Sequence, residues 1–94
     1  MTNQIKKIIE KYLNSDYIGI IEGLNKEIAI MMRLGKPSND DIEYIKASKE
    51  ILFLLQYGIK PFGLDNYNIV LIKPLIQNLI DKGQLKNEII SIFD

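Results

Sequence analysis

Two short segments that contain glycine and proline, Gly35–Ser38 and Gly58–Asp65, do most to limit what this chain can fold into. Glycine readily takes the left-handed conformation that ends a helix, and proline prevents the helix from continuing. Each segment finishes with a side chain, Ser38 or Asp65, that can cap the first turn of a new helix. The stretch between them, Asn39–Tyr57, is therefore predicted to be one helix with a break on either side.

Apolar side chains recur at helical spacing in the rest of the chain. The first helix should contain Ile5–Leu13, after a cap at Thr2 or Asn3. The second predicted helix has an unusually wide apolar arc, so contacts on two sides are expected, with neighbouring helices or with another chain. The ranges predicted for the second, fourth and fifth helices are Asp16–Leu34, Asn66–Lys82 and Leu85–Phe93.

Pro74 lies in the middle of the fourth predicted helix, where it removes one backbone hydrogen bond. Apolar residues keep helical spacing on both sides of it, which favours one kinked helix over Asn66–Lys82. The alternative is a strand, YNIVLIK, followed by a separate helix that begins at Pro74. The kinked helix is preferred because the strand would have no evident partner elsewhere in the chain.

These elements predict an all-α fold, a compact single-domain bundle of four to five helices that spans residues 1–94. A chain of this length has a small core, and without cysteine no disulfide can reinforce it. Charged residues interrupt the most apolar stretch, Tyr17–Leu34, so no membrane-spanning segment is expected. The polar N-terminal residues lack the apolar part of a secretory signal, which makes a cytoplasmic location the default expectation.

Histidine and cysteine are both absent from the sequence. Their absence removes the residues most used for general acid–base catalysis, for covalent nucleophiles and for zinc sites. The one cluster of acids, Asp40, Asp41 and Glu43, lies at the start of a predicted helix, where negative charge complements the helix dipole. We therefore expect a non-enzymatic protein with no catalytic residues, no cofactor and no bound metal.

The balance of charge disfavours nucleic acid as the partner. Lysine plus arginine equals aspartate plus glutamate at 12 each, for a formal net charge of zero. Dedicated nucleic-acid binders usually have a basic excess or a basic stripe. The helix expected after Pro61–Leu64 has only Lys73 and Lys82 as basic residues, too few for a recognition helix. A small helical nucleic-acid-binding regulator is thus the alternative to a protein-binding function.

The second predicted helix contains two groups of candidate contact residues. Gly19 and Gly23 form a G-x-x-x-G pattern, which allows another helix to approach closely, inside the fold or across a dimer. A tolerated pair of glycines, or a local break in the helix, is the other interpretation. Met31, Met32 and Arg33 suit an adaptable contact edge, although methionines more often fill a core.

A third group surrounds the turn that follows the third predicted helix. Tyr57, Phe62 and Tyr67 are aromatic, and Lys60 places a positive charge among them. Aromatic residues with a basic neighbour are typical of contacts with a partner. The other interpretation is that Phe62 closes the end of the bundle and that the tyrosines are half-buried around it.

Together these features favour a protein that acts by protein–protein interaction, as an adaptor, inhibitor, antitoxin-like or immunity-type protein. Such a protein would work by occluding a partner or by scaffolding it. The apolar residues of the second predicted helix exceed what a small monomer is expected to bury, so a homodimer is a further expectation. The partner's identity does not follow from the sequence.

Overall fold

Four α-helices form the part of the chain that the computed structural model describes, which is residues 3–33, 35–86 and 89. They are α1 (Gln4–Tyr12), α2 (Tyr17–Met32), α3 (Asn39–Tyr57) and α4 (Asn66–Asp81). No strand occurs among these residues. The prediction of an all-α fold is confirmed, and the number of helices agrees with the predicted four to five.

A side chain caps the start of each of these four helices. The carboxylate of Asp16 accepts a hydrogen bond of 2.7 Å from the first turn of α2, and Asn3 and Asp65 cap α1 and α4 in the same way. Ser38 and Asp41 form a reciprocal capping box at the start of α3, with hydrogen bonds of 3.1 and 3.0 Å. Because such caps act within one turn, short stretches of sequence are enough to predict where each helix begins.

Glycines in the left-handed conformation follow α3 and α4. Gly58 has a φ of 66°, and its N–H donates a hydrogen bond of 2.9 Å to the carbonyl of Leu54, so α3 ends where predicted. Gly83 has a φ of 71° just beyond α4. Helix α2 ends at Met32, before the predicted end at Leu34, which lies outside the described residues.

Helix α4 runs without interruption through Pro74. The prediction of one helix over Asn66–Lys82 is confirmed to within one residue, and the alternative of a strand followed by a helix is wrong. Pro74 itself is exposed, whereas Ile72, Leu75 and Ile76 beside it are fully buried. Burial of these side chains offsets the roughly 3 kcal/mol that proline costs in a helix interior.

The core forms where α1 packs against both α3 and α4, and α2 completes it by packing against α3. The buried apolar residues recur at helical spacing and include Ile5, Ile8, Ile9 and Tyr12 in α1, Ile20, Leu24 and Ile28 in α2, and Ile69, Ile72, Ile76 and Leu79 in α4. The Cα radius of gyration is 13.0 Å. This value is close to the roughly 12 Å expected of a compact chain of this length.

The fifth predicted helix, Leu85–Phe93, falls mostly outside the described residues. Leu85 and Lys86 lie in non-helical backbone. Ile89 is buried next to Gly58, at the end of α3. The remaining positions of that predicted helix are not among the residues described.

Candidate functional site

An apolar groove with a volume of about 510 Å³ runs along the outer face of α3. Phe62 beside it is fully exposed, and Ile42 and Phe53 are 53% and 40% exposed. Single exposed apolar residues are ordinary, but several that line one concave surface indicate a binding site. We call this surface the α3 groove, and its main lining residues are Ile42, Ile45, Lys49 and Phe53 on α3 and Pro61 and Phe62 opposite.

The helical repeat explains the α3 side of the groove. Ile42 and Phe53 are about three helical turns apart, so their side chains project from one face of α3. A different face of the same helix places Ile51 and Leu54 in the core, where both are fully buried. Helix α3 is therefore apolar on two faces, and the rest of the fold covers one of them.

A tight turn forms the opposite side of the groove. The N–H of Leu64 donates a hydrogen bond of 3.2 Å to the carbonyl of Pro61, which leaves Phe62 and Gly63 at the tip of the turn. Pro61 and Leu64 are buried, so the turn is held by its two ends while the Phe62 ring stays in solvent. A Cβ atom on Gly63 would lie 2.7 Å from the Glu50 carboxylate, so glycine allows the turn to approach α3 this closely.

Lys46, Lys49 and Glu50 supply the charges of the α3 groove. Both lysines are exposed, and neither has a carboxylate oxygen within 4.0 Å in the described part of the chain. Glu50 is half-buried, and burial raises its pKa above the ordinary value; Lys46 opposes this rise and Asp65 adds to it. The groove therefore combines an apolar lining with two cations that have no ion-pair partner there.

A second group of polar side chains meets at Glu27 in α2. Its carboxylate accepts a hydrogen bond of 2.9 Å from the Tyr12 phenol and further hydrogen bonds from the Tyr44 phenol and the Lys11 ammonium group. Burial, together with the Glu27 carboxylate, raises the pKa of both tyrosines. Burial alone would raise the pKa of Glu27 too, but the hydrogen bonds from Lys11, Tyr44 and Tyr12 outweigh it and lower that pKa.

We interpret this Glu27 cluster as a structural contact between α1, α2 and α3. The carboxylate already has three donors and its side chain is only 17% exposed, so a ligand would have to displace an existing partner. Sequence reasoning missed the cluster because Tyr12 and Tyr44 lie 15 and 17 residues from Glu27. The available signal was an acid within the most apolar stretch of the chain, Tyr17–Leu34, and Glu22 in the same stretch shares that signal.

The two candidate glycines of α2 have different surroundings. A Cβ atom on Gly23 would lie 2.6 Å from the hydroxyl oxygen of Tyr12, so this glycine makes room for α1. A Cβ atom on Gly19 would instead lie 2.8 Å from the carboxylate of Asp16, the residue that caps α2. Contacts within the fold therefore explain both glycines: Gly23 makes room for the Tyr12 side chain, and Gly19 makes room for the Asp16 cap.

The candidate residues at the end of α2 do not share one environment. Met31 is partly buried against the core, whereas Met32 and Arg33 are exposed. Ile18 and Ile30 are further large exposed apolar side chains of α2, at 62% and 52%. Ile18 lies roughly 20 Å from Met32 along the helix axis, and Ile30 projects from nearly the opposite side of the helix to Met32. None of these exposed residues lines the α3 groove.

Among the candidates around the turn, Phe62 is the one that lines the α3 groove. Tyr67 is 65% exposed at the start of α4 and faces the beginning of α1, and Lys60 is exposed ahead of the turn. Tyr57 is also exposed, and its ring centroid lies 5.0 Å from that of Phe53. The interpretation that Phe62 closes the end of the bundle among half-buried tyrosines is wrong, because all three rings are exposed.

Sequence reasoning missed Ile42, Phe53 and the two lysines as members of a site. Within the third predicted helix it singled out only the acids Asp40, Asp41 and Glu43, as partners of the helix dipole. The signal available was that Ile42 and Phe53 lie on the same helical face as these lysines.

Comparison with protein-family models, with curated proteins and with solved structures finds no significant match to this chain. Within the described residues, no group of three or more acidic side chains is placed to hold a metal ion. No helix in that part of the chain combines the length and the apolar character needed to cross a membrane. The functional argument therefore rests on the α3 groove.

Proposed function

We propose that this chain acts without catalysis, by binding another protein through the α3 groove. The observation that carries the proposal is the fully exposed Phe62 ring beside exposed Ile42 and Phe53. Each large apolar side chain that a partner buries contributes about 1.5–3 kcal/mol. Aromatic residues near the centre of an interface often account for most of its affinity.

Adaptor, inhibitor, antitoxin-like and immunity-type proteins are the classes that fit this mode of action. Each works by covering a functional surface of its partner or by holding two partners together. The α3 groove offers little for catalysis, since Glu50 is the one carboxylate among its lining residues. Lysine acts as a nucleophile or base mainly where it is buried, and Lys46 and Lys49 beside this carboxyl group are both exposed.

Nucleic-acid binding is the second candidate, because Lys46 and Lys49 lie beside the exposed Phe62 ring. An aromatic face next to cations suits a single strand, whose bases stack while its phosphates are neutralised. Ile42 and Glu50 in the same groove, and the zero net charge of the chain, favour a protein instead. A gel shift with single-stranded RNA or DNA that weakens with salt and disappears in Phe62→Ser would support the nucleic-acid alternative.

Affinity capture from native lysate with three matched baits tests the protein-binding proposal. The baits are the wild-type chain, Phe62→Ser in the groove, and Tyr67→Ser as an exposed aromatic control outside it. The expected result is a protein retained by the wild type and by Tyr67→Ser but lost by Phe62→Ser. Capture of the same proteins by all three baits, or of none by any of them, would contradict the proposal.

A homodimer remains part of the proposal and is tested separately. Light scattering gives the solution mass of the wild-type chain over a range of concentrations. A mass of two chains that falls to one in Phe62→Ser would show that a second copy is the protein bound in the groove. A dimer that survives this substitution would place the dimer contact elsewhere.

A further inference from the structure

The length of the α3 groove suits a helix. From Ile42 to Phe53 the groove follows α3 for about three turns, or roughly 16 Å. Pro61 and Phe62 lie opposite α3, so a helix bound in the groove would contact α3 on one side and this turn on the other. A partner helix with apolar residues at i, i+3, i+4 and i+7 would place a continuous stripe against this lining.

The charges at the edge of the groove restrict which helix fits. Lys46 and Lys49 are exposed and have no carboxylate oxygen within 4.0 Å in the described part of the chain. A partner that covers the groove brings its own flanking residues next to these two ammonium groups. Basic flanks would repel them, and acidic flanks would supply the missing counter-charges.

The same charges argue against a second copy of this chain as the occupant. A two-fold axis through the middle of the groove would bring Lys46 and Lys49 of both copies together. Four ammonium groups would then face one another across a surface whose apolar lining excludes water. Glu50 interacts electrostatically with Lys46, but the two Glu50 carboxylates of such a dimer would offset only half of the four positive charges.

We propose that the α3 groove binds an amphipathic helix of another protein, with aspartate or glutamate on both flanks of its apolar stripe. This inference rests on the proposed protein-binding function and adds the chemistry of the partner. Phe62, Ile42 and Phe53 contact the apolar stripe of the bound helix, and Lys46 and Lys49 pair with its acidic flank.

Two synthetic helical peptides of about four turns test this inference directly. They share the same leucine stripe and differ only in their flanks, which are glutamate in one and lysine in the other. Binding to the full chain is measured by fluorescence anisotropy at low and at moderate salt. We expect the glutamate peptide to bind at least about tenfold more tightly than the lysine peptide, with a preference that weakens as salt rises.

A pair of charge-reversed proteins provides the matched control. Lys46→Glu/Lys49→Glu changes the groove, and Lys26→Glu/Lys73→Glu makes the same change in net charge at exposed positions outside it. The first variant should bind the glutamate peptide about five- to tenfold more weakly than the wild type and should bind the lysine peptide more tightly. The second variant should resemble the wild type within about twofold.

Several results would overturn the inference. These are equal binding of both peptides, a preference for the lysine peptide, no binding of either, and equal effects of the two charge reversals. A dimer that dissociates in Phe62→Ser would overturn it as well. Equal binding of both peptides that Phe62→Ser abolishes would refute only the acidic preference, and protein binding in the groove would stand.

Equal binding of both peptides together with capture from lysate that does not depend on Phe62 would refute the proposed function as well.

Discussion

The phenol of Tyr12 in α1 donates a hydrogen bond of 2.9 Å to the carboxylate of Glu27 in α2, across 15 residues of sequence. Tyr44 of α3 donates to the other oxygen of the same carboxylate. One acid on α2 thus connects three helices at a largely buried position. Hydrogen bonds to a charged group are worth more than those between neutral groups, so this contact should stabilise the fold measurably.

Glu27→Gln should lower the free energy of unfolding by about 1–3 kcal/mol. Glutamine keeps the size of the side chain but removes the charge that strengthens the hydrogen bonds from Tyr12 and Tyr44, and its amide turns a donor toward one of them. Urea unfolding followed by circular dichroism measures the change. The matched control is Glu22→Gln, an exposed acid of the same helix, which should stay within about 0.5 kcal/mol of the wild type. Equal effects of the two substitutions would show that the Glu27 contacts contribute no stability.

The stability of the fold should fall at both ends of the pH range for reasons that trace to this cluster. The folded-state pKa of Tyr12 and Tyr44 is raised, so their contribution is complete below about pH 10, where free tyrosine ionises, and is lost as pH rises through the folded-state pKa. The folded-state pKa of Glu27 is lowered. Its contribution is therefore present above about pH 4.3, the ordinary value for glutamate, and is lost as pH falls through the folded-state pKa.

Chemical unfolding at a series of pH values from 8 to about 12 tests the alkaline arm. The decline above about pH 10 should be steeper in the wild type than in Tyr12→Phe/Tyr44→Phe, because phenylalanine has no proton to lose. Lysines titrate in the same range in both proteins, so the difference between the two curves isolates the tyrosines. Parallel curves would mean that the two phenols do not contribute to the pH dependence.

Gly23→Ala should destabilise the protein, although alanine is the better helix former by about 1 kcal/mol. The added methyl group would lie 2.6–2.7 Å from atoms of the Tyr12 ring, whose hydroxyl is held by Glu27. Overpacking of this kind costs about 1–3 kcal/mol. A double-mutant cycle provides the check: in a Tyr12→Leu background the same glycine substitution should become neutral or stabilising. A destabilisation that persists without the ring would rule out this clash as its cause.

Ser48→Ala should raise the free energy of unfolding by about 1–2 kcal/mol. Ser48 is fully buried in α3, and its hydroxyl oxygen has no hydrogen-bond partner in the described part of the chain. Removal of that oxygen leaves the packing nearly unchanged and abolishes the cost of burying it. Ser38→Ala in the capping box of the same helix should have the opposite sign and cost about 1 kcal/mol. A loss of stability in Ser48→Ala would mean that the hydroxyl is satisfied by a group such as a buried water molecule.

Most of the helix boundaries follow from local signals. A capping box formed by Ser38 and Asp41 begins α3, and the left-handed Gly58 ends it. Both signals act within one helical turn, so neighbouring residues are enough to predict α3. Local signals also predict that the segment around Pro74 is one helix. Apolar residues keep helical spacing on both sides of this proline, and the helix continues through it although proline destabilises a helix interior. These predictions need no knowledge of where the other helices lie.

The sites could not be predicted in the same way. Phe62 was among the predicted contact residues, but its neighbours Ile42 and Phe53 were not, because nothing local tells which face of α3 the other helices cover. The sequence correctly predicted a wide apolar arc on α2 but not its surroundings: three of its side chains are buried, while Ile18, Ile30 and Met32 remain exposed. A helical repeat predicts which residues share a face, not what that face contacts.

Local signals in the sequence predict the all-α class, the starts of α1 to α4 and the ends of α3 and α4, because caps, left-handed glycines and apolar spacing act over a few residues. The packing of the helices determines that Glu27 joins three of them and that Phe62 lies beside the outer face of α3. Both results depend on contacts between residues far apart in sequence. Such contacts form only when the helices pack, and packing selects which apolar face of α3 is buried and which stays exposed.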